Sequence, residues 1–422
     1  MPNSEQPNQR LGLSHLDAIR GLASLQVLAL HILSAFLPAV VFVKLETPLG
    51  QTIHHSPLFL LYDGYTAVYI FFALSGFVLT LAFSRQADRP LGALAARSLR
   101  LFLPAFAACL LAFAVKTAFP DAHLSAAALT GSTWLAAAWA PPAGLWYFAK
   151  DSLLDPLFLG YHTSYPLGAA ALPAFIEPVE RAYLAPLWSL SVELQGSVMI
   201  LALAMCRARP RLWALAFAAL CIIGFRSHFA AFLVGHALAL AHQRGLRLTL
   251  SGLATIALLV VASLLCLTEE FGVLAPVKAL CEAPIAFSLP CGVFVQKVYG
   301  GALIFAAFAF SPVLIRVLSK PYSVWLGRIS FPLYLVHWPL LLGPACALLI
   351  GAAPWVGFPA AAALASVCAA AMAFLMAMPF RRLDGFAQDL ARRLRDSERT
   401  ITGRSDADLD VTATLPRGSP SA

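Results

Sequence analysis

Ten apolar stretches, most of them close to the length of a bilayer-crossing helix, divide this chain and leave few ways for it to fold. About 20 predominantly apolar residues cover the hydrocarbon core as an α-helix. The stretches are Ala18 to Val41, Thr66 to Phe83, Leu99 to Ala118, Ser189 to Cys206, Leu212 to Phe225, Phe229 to His242, Leu250 to Leu267, Val298 to Leu318, Ile329 to Ile350 and Trp355 to Met378. The fifth and sixth are short enough to be tilted or re-entrant. Phe119 to Leu187, rich in Pro, Trp, Tyr and Gly, has room for one further membrane-dipping segment. With 60% hydrophobic and 12% charged residues and a mean hydropathy of +0.78, the chain is far too apolar for a soluble globular protein. The expected fold class is all-α: a polytopic transmembrane helical bundle of about ten helices.

No period of 20 to 50 residues recurs, so the bundle is not a repeat array. Residues 1–14 form a short polar tail without the features of a cleaved secretory signal, and the first helix is expected to be retained. Residues 15–385 make the membrane domain. Residues 386–422 turn polar and read as a short amphipathic piece followed by disorder.

Charge sets an orientation. Placing the N-terminus in the cytoplasm leaves only Lys44, Lys116, Lys150, Arg181, Arg226, Lys278 and Lys297, of 29 Lys and Arg, on the outer side. The positive-inside rule favours that arrangement, with both termini cytoplasmic. The net charge of +8 comes from basic residues dispersed between apolar runs, a pattern of topology signals and anionic-lipid contacts and not of nucleic-acid binding. No metal-ligand spacing and no phosphate-cradling Gly-rich loop is present, so neither a metal nor an ATP-driven pump is expected. Of eight Cys, Cys281 and Cys291 share one outer loop, where an oxidising compartment would allow a disulfide.

Ionisable residues inside apolar runs mark function, because a charge in lipid faces a protein interior or a wet cavity. The first helix carries Asp17, Arg20 and His31. Arg20 and His31 are eleven residues apart, which places them on one helix face about 16 Å apart along the axis. Arg97 and Arg100 at the start of the third run are either ordinary topology arginines or, joined by Arg20, a fork for phosphate groups. Ser75-Gly76 in the second run fits close helix packing as well as function. Trp188-Ser189-Leu190-Ser191-Val192-Glu193 sets a carboxylate within the first turns of the fourth helix, on the outer side. Glu193 either pairs with an arginine or works on a substrate. In Gly327-Arg328-Ile329-Ser330-Phe331-Pro332-Leu333-Tyr334-Leu335-Val336-His337-Trp338-Pro339, His337 is either a packed, hydrogen-bonded residue or a substrate contact.

Taken in order, Leu16-Asp17 with Arg20-Gly21 and His31, Phe71-Phe72 with Ser75-Gly76, Arg97 and Arg100 followed by Pro104, Leu187 to Glu193, and Ile329-Ser330 with Leu333-Tyr334-Leu335 and His337-Trp338-Pro339 resemble the signatures of the acyltransferase-3 family. The resemblance runs from Leu16 to about Phe380. The chain departs from the family pattern at Leu194, Gly196 and Ser197, and at Ala377 before Met378-Pro379.

The resemblance implies an integral enzyme of the bacterial inner membrane that O-acylates, most simply O-acetylates, a cell-surface polysaccharide, a lipid-linked sugar or a small metabolite. It implies no permanently bound cofactor and an acyl-CoA, such as acetyl-CoA, as co-substrate. The donor's phosphates would meet Arg20, Arg97 and Arg100. His31 and Glu193 would be catalytic, His31 as general base or as acyl carrier, and Asp17, Ser75, Trp188, Ser191, Tyr334 and His337 would support or bind substrate. Acceptor selectivity is expected in Phe119 to Leu187. The same sparse intramembrane His, Glu and Arg would also suit a transporter or proton-coupled carrier, although neither an inverted repeat nor a matched pair of broken helices is seen. A catalytically dead scaffold is the third reading.

Overall fold

The computed structural model describes residues 13–42, 52–53, 56–84, 86, 89–162, 176–246, 248–268, 271–283 and 294–412, with the backbone alone for 282 and 396–412. Among these residues the fold is all-α. Its helices are α1 (Ser14–Phe36), α2 (Gly64–Phe83), α3 (Pro90–Ala118), the short α4 (Ala122–Thr130), α5 (Thr133–Ala137) and α6 (Leu145–Leu153), then α7 (Trp188–Cys206), α8 (Pro210–Gly224), α9 (Phe229–Gln243) and α10 (Gly252–Cys266). The chain continues through α11 (Ala275–Glu282), α12 (Val295–Phe310), α13 (Pro312–Leu318), α14 (Pro321–Leu340), a π-helical turn (Leu341–Ala345), α15 (Cys346–Val356) and α16 (Phe358–Thr412).

Local chemistry sets many of the boundaries. Proline opens α3, α8, α13 and α14 at a position where its missing N–H costs nothing. Asp63 caps α2 by accepting the Thr66 amide at 3.1 Å and the Thr66 hydroxyl at 2.5 Å. Gly357, at a φ of 77°, turns the chain from α15 into α16.

Every apolar run of the sequence becomes largely helix, and among the described residues six segments are by themselves long and apolar enough to cross a membrane: α1, α2, α3, Ala185–Cys206, Pro321–Val356 and Phe358–Arg395. A seventh appears if α12 and α13, bent by 83° between them, count as one span. That bend corrects the continuous run Val298 to Leu318: Ser311 is extended and Pro312 starts a new helix. The three others, α8, α9 and α10, have 15 residues each. At 1.5 Å per residue each is about 22 Å long, against a hydrocarbon core of about 30 Å. Between Phe119 and Leu187 the described residues form only short helices, none long enough to cross. Cys291 lies outside the described residues, so its pairing with Cys281 does too. The last helix carries on into the polar C-terminal segment as far as Thr412.

Among the described residues two large apolar cores fill most of the bundle, with a smaller third around Leu30, Phe59, Tyr62 and Leu267. Of the large pair, one joins α3, α14, α15 and α16 to the short helices α4 and α5 and the C-terminal half of α1 through Leu28, Ile32 and Phe36. The other joins α2, α7, α9 and α12 to the beginning of α1 through Leu16, Ile19 and Val27. Helices α1 and α14 therefore run along the seam, where they pack on each other. They come close together at two glycines. A Cβ on Gly327 would lie 2.1 Å from the Asp17 carbonyl oxygen, and one on Gly21 would lie 2.8 Å from the Gly327 amide nitrogen. A second such crossing joins α2 to α9, where a Cβ on Gly76 would meet the Phe232 carbonyl at 2.1 Å. Close packing thus accounts for Gly76 of the Ser75-Gly76 pair.

Candidate functional site

From the Gly21–Gly327 crossing, ten residues along α1 lead to His31 and ten along α14 lead to His337. The two helices run side by side in the same direction, so equal steps bring the histidines together: His31 Nδ1 and His337 Nε2 are 2.8 Å apart. Their rings are within 9° of parallel with centroids 5.1 Å apart, the geometry of two imidazoles joined edge to edge by one N–H···N bond. His337 Nδ1 in turn lies 3.2 Å from the Leu333 carbonyl oxygen.

A carbonyl only accepts, and this fixes the tautomers of the neutral pair. His337 donates from Nδ1 to Leu333, so its Nε2 holds a lone pair, and His31 donates to that lone pair from Nδ1. The lone pair of His31 is left at Nε2, which has no hydrogen-bond partner among the described residues. Around His31 the Trp134 ring is nearly parallel at 5.7 Å and the Trp338 ring stands edge-on at 5.2 Å. His31 is partly accessible, whereas His337 is buried.

Towards the beginning of α1 the helices part around a cavity of about 440 Å³. Arg20, Arg97 and Arg100 all line it, as the sequence suggests, together with Asp17, Ser75 and Tyr334. The lining also includes Arg328, Arg381, Asp384 and Gln388, which sequence reasoning missed. Arg328 reads as one more topology arginine in the sequence. The spacing of Arg381, Asp384 and Gln388, three and then four residues apart on α16, was the signal that could have found the other three. Five arginines face three carboxylates here, so the cavity favours anions.

Two acids neutralise part of that charge. Asp17 accepts from Arg20 at 3.2 Å, one helical turn away. Glu193 forms a buried ion pair with Arg97, whose Nε also reaches Ser197 Oγ at 3.4 Å. Glu193 and Arg97, expected towards opposite ends of the bundle, therefore stand at one level, and of its two readings Glu193 takes the pairing with an arginine. Helix α3 begins at Pro90, so Arg97 stands two turns inside it and meets α7 where Glu193 projects. A lone carboxylate at that depth needs a cation, and the nearest one is Arg97.

Other candidates fall elsewhere. Ser191 is fully buried and donates to the Trp188 carbonyl at 2.8 Å, and Trp188 packs on His228 with centroids 5.3 Å apart. Neither lines the cavity; their neighbour Ser189 does, and its hydroxyl is 2.8 Å from that of Tyr334. Tyr334 connects the two halves of the site. It walls the cavity and its ring centroid is 5.9 Å from that of His337. The face of α1 that carries both Arg20 and His31 is thus divided, the arginine lining the cavity and the histidine lying beyond Tyr334. No group of three or more His, Cys, Asp or Glu suited to a metal occurs among the described residues.

An arginine-lined cavity beside an oriented imidazole suits transfer of a group carried by an anionic donor. A family model described as an acyltransferase domain matches residues 13–378. The chain belongs to the acyltransferase-3 family. This protein is accordingly an O-acyltransferase with membrane-crossing helices, and the carrier reading falls away. No curated protein and no solved structure matches this acyltransferase.

Proposed function

We propose that this acyltransferase moves an acetyl group from acetyl-CoA to a hydroxyl of a cell-surface polysaccharide, a lipid-linked sugar or a small metabolite, in the bacterial inner membrane. In this reading all ten apolar runs are embedded in the membrane, both termini are cytoplasmic, and the arginine cavity opens towards the cytoplasm. The observation that carries it is the chain from the Leu333 carbonyl through His337 to His31, which leaves a base at His31 Nε2 next to a cationic cavity.

The donor's phosphates bind Arg20, Arg97 and Arg100, whose guanidinium forks suit phosphate oxygens. Glu193 and Asp17 are counter-ions that keep Arg97 and Arg20 in place before the donor arrives. The pantetheine arm passes Tyr334 and delivers the thioester to His31. His31 accepts the proton of the acceptor hydroxyl at Nε2 as general base, while His337 holds the ring in the tautomer that exposes that nitrogen. The aromatic segment around Trp134, packed on His31, borders the acceptor.

Coenzyme A binding to the purified protein in detergent tests the donor half. Titration calorimetry is expected to give saturable binding to the wild type that weakens at least about tenfold in Arg100→Gln, the loss of one charge-assisted contact. Equal affinity in the two proteins would overturn the assignment of the cavity to the donor.

A further inference from the structure

Next to His337 on α14, Trp338 is 3% exposed, and its Nε1 is buried with no hydrogen-bond partner among the described residues. A buried indole N–H ordinarily finds an acceptor. Leaving it without one costs about 1–3 kcal/mol, so an unpaired donor inside a packed protein calls for an explanation. The position of the ring offers one. Trp338 stands at 84° to both His31 and Trp134, at 5.2 and 5.6 Å, while those two rings lie 14° from parallel. A single cluster of rings therefore holds an unpaired donor, Trp338 Nε1–H, and an unpaired acceptor, His31 Nε2.

A reactant pair complementary to that cluster presents one acceptor and one donor. A thioester carbonyl oxygen and an attacking hydroxyl do this together. We propose that the Trp338 indole N–H donates to the acyl carbonyl oxygen and stabilises the oxyanion formed during transfer, a role that rests on the reading of His31 as the base. The acceptor oxygen bonds to the thioester carbon as its proton moves to His31 Nε2, and the carbonyl π pair becomes an oxyanion held by Trp338. Collapse restores the carbonyl, breaks the C–S bond and returns the proton from His31 to sulfur, leaving an ester and a free thiol. One preorganised donor aimed at a developing oxyanion is worth about 10²–10³ in rate.

The test is steady-state acyl transfer from acetyl-CoA by Trp338→Phe, which keeps an aromatic ring and deletes the donor, with His31→Ala run beside it. The expected result is a kcat lower by about 10²–10³ with the donor KM unchanged. The thermal midpoint should hold or rise, because an unpaired buried donor has been removed. A drop in midpoint with an unchanged kcat would show a structural role and overturn the proposal. Should the phenylalanine variant fold poorly, benzothienylalanine at position 338, which carries sulfur in place of the N–H, gives the same comparison with the indole shape preserved. An inactive His31→Ala beside a fully active Trp338 variant overturns the oxyanion assignment alone, whereas a fully active His31→Ala removes the base and this proposal with it.

Discussion

Replacing His337 with phenylalanine removes the group that fixes which nitrogen of His31 carries the lone pair. The bond lost is the 2.8 Å contact between His31 Nδ1 and His337 Nε2. A neutral hydrogen bond of this kind contributes about 0.5–1.5 kcal/mol net, and in the variant the His31 ring also populates the tautomer and rotamers in which Nε2 is not the base. Outer partners that orient a working histidine are typically worth about 10–100-fold. At 1.36 kcal/mol per tenfold, that is about 1.4–2.7 kcal/mol of barrier. His337 does not line the arginine cavity, so donor binding should not move. The assay is initial-rate transfer of labelled acetyl from acetyl-CoA in detergent, with the donor KM and kcat resolved separately. His337→Phe is expected to lower kcat by about 10–100-fold at constant KM. His337→Gln, whose amide oxygen can accept from His31 Nδ1, should recover most of that loss. A phenylalanine variant at full rate, or a glutamine variant no better than it, would refute the assignment of His337 as the orienting residue.

Three other outcomes follow from the packing and the charges. Gly327→Ala places a methyl 2.1 Å from the Asp17 carbonyl, so α1 and α14 must separate; a stability loss of about 1–3 kcal/mol is expected as a lower thermal midpoint, with reduced activity as the histidines lose register. Glu193→Leu leaves Arg97 charged and unpaired, at a cost of about 3–5 kcal/mol, and the double variant with Arg97→Met should regain folded yield on size-exclusion chromatography although it cannot bind donor. Asp151, in α6 and outside the spanning helices, accepts from the Tyr161 hydroxyl at 2.8 Å and the Tyr183 amide at 2.9 Å, yet burial pushes its carboxyl up to about 7. Between the unfolded carboxylate value of about 3.9 and this one, the folded state binds the extra proton, so stability falls as pH rises through that window, by up to about 4 kcal/mol. Denaturation midpoints at pH 5 and pH 8 should differ in the wild type and converge in Asp151→Asn.

Much of the helical architecture is legible in the sequence because helix and apolar run coincide. They part where charge lies inside a helix: Arg97 and Arg100 break the apolar run, so the first turns of α3 from Pro90 are missed, and with them the shared level of Arg97 and Glu193. A run also hides a bend, since the residues around Ser311-Pro312 are as apolar as a straight span. In the site, Arg20, Arg97 and Arg100 are legible as cations at one depth, and the structure brings them to one cavity. The link between His31 and His337 is not, because it depends on two glycines that set the contact between helices about 300 residues apart in sequence. Burial and hydrogen-bond state are likewise tertiary properties, so the unpaired Trp338 donor leaves no trace in residue spacing.

The role proposed for His31 of this acyltransferase is to accept the proton when an acetyl group passes from coenzyme A to a hydroxyl. Its most direct test is transfer from radiolabelled acetyl-CoA in membranes expressing the wild type or His31→Ala, each supplied with a host glycan and lipid extract. Label is expected in an alkali-labile, hydroxyl-linked product with the wild type only. Equal labelling by His31→Ala would contradict the claim, and so would label trapped stably on the wild-type protein at His31, which would make the histidine an acyl carrier.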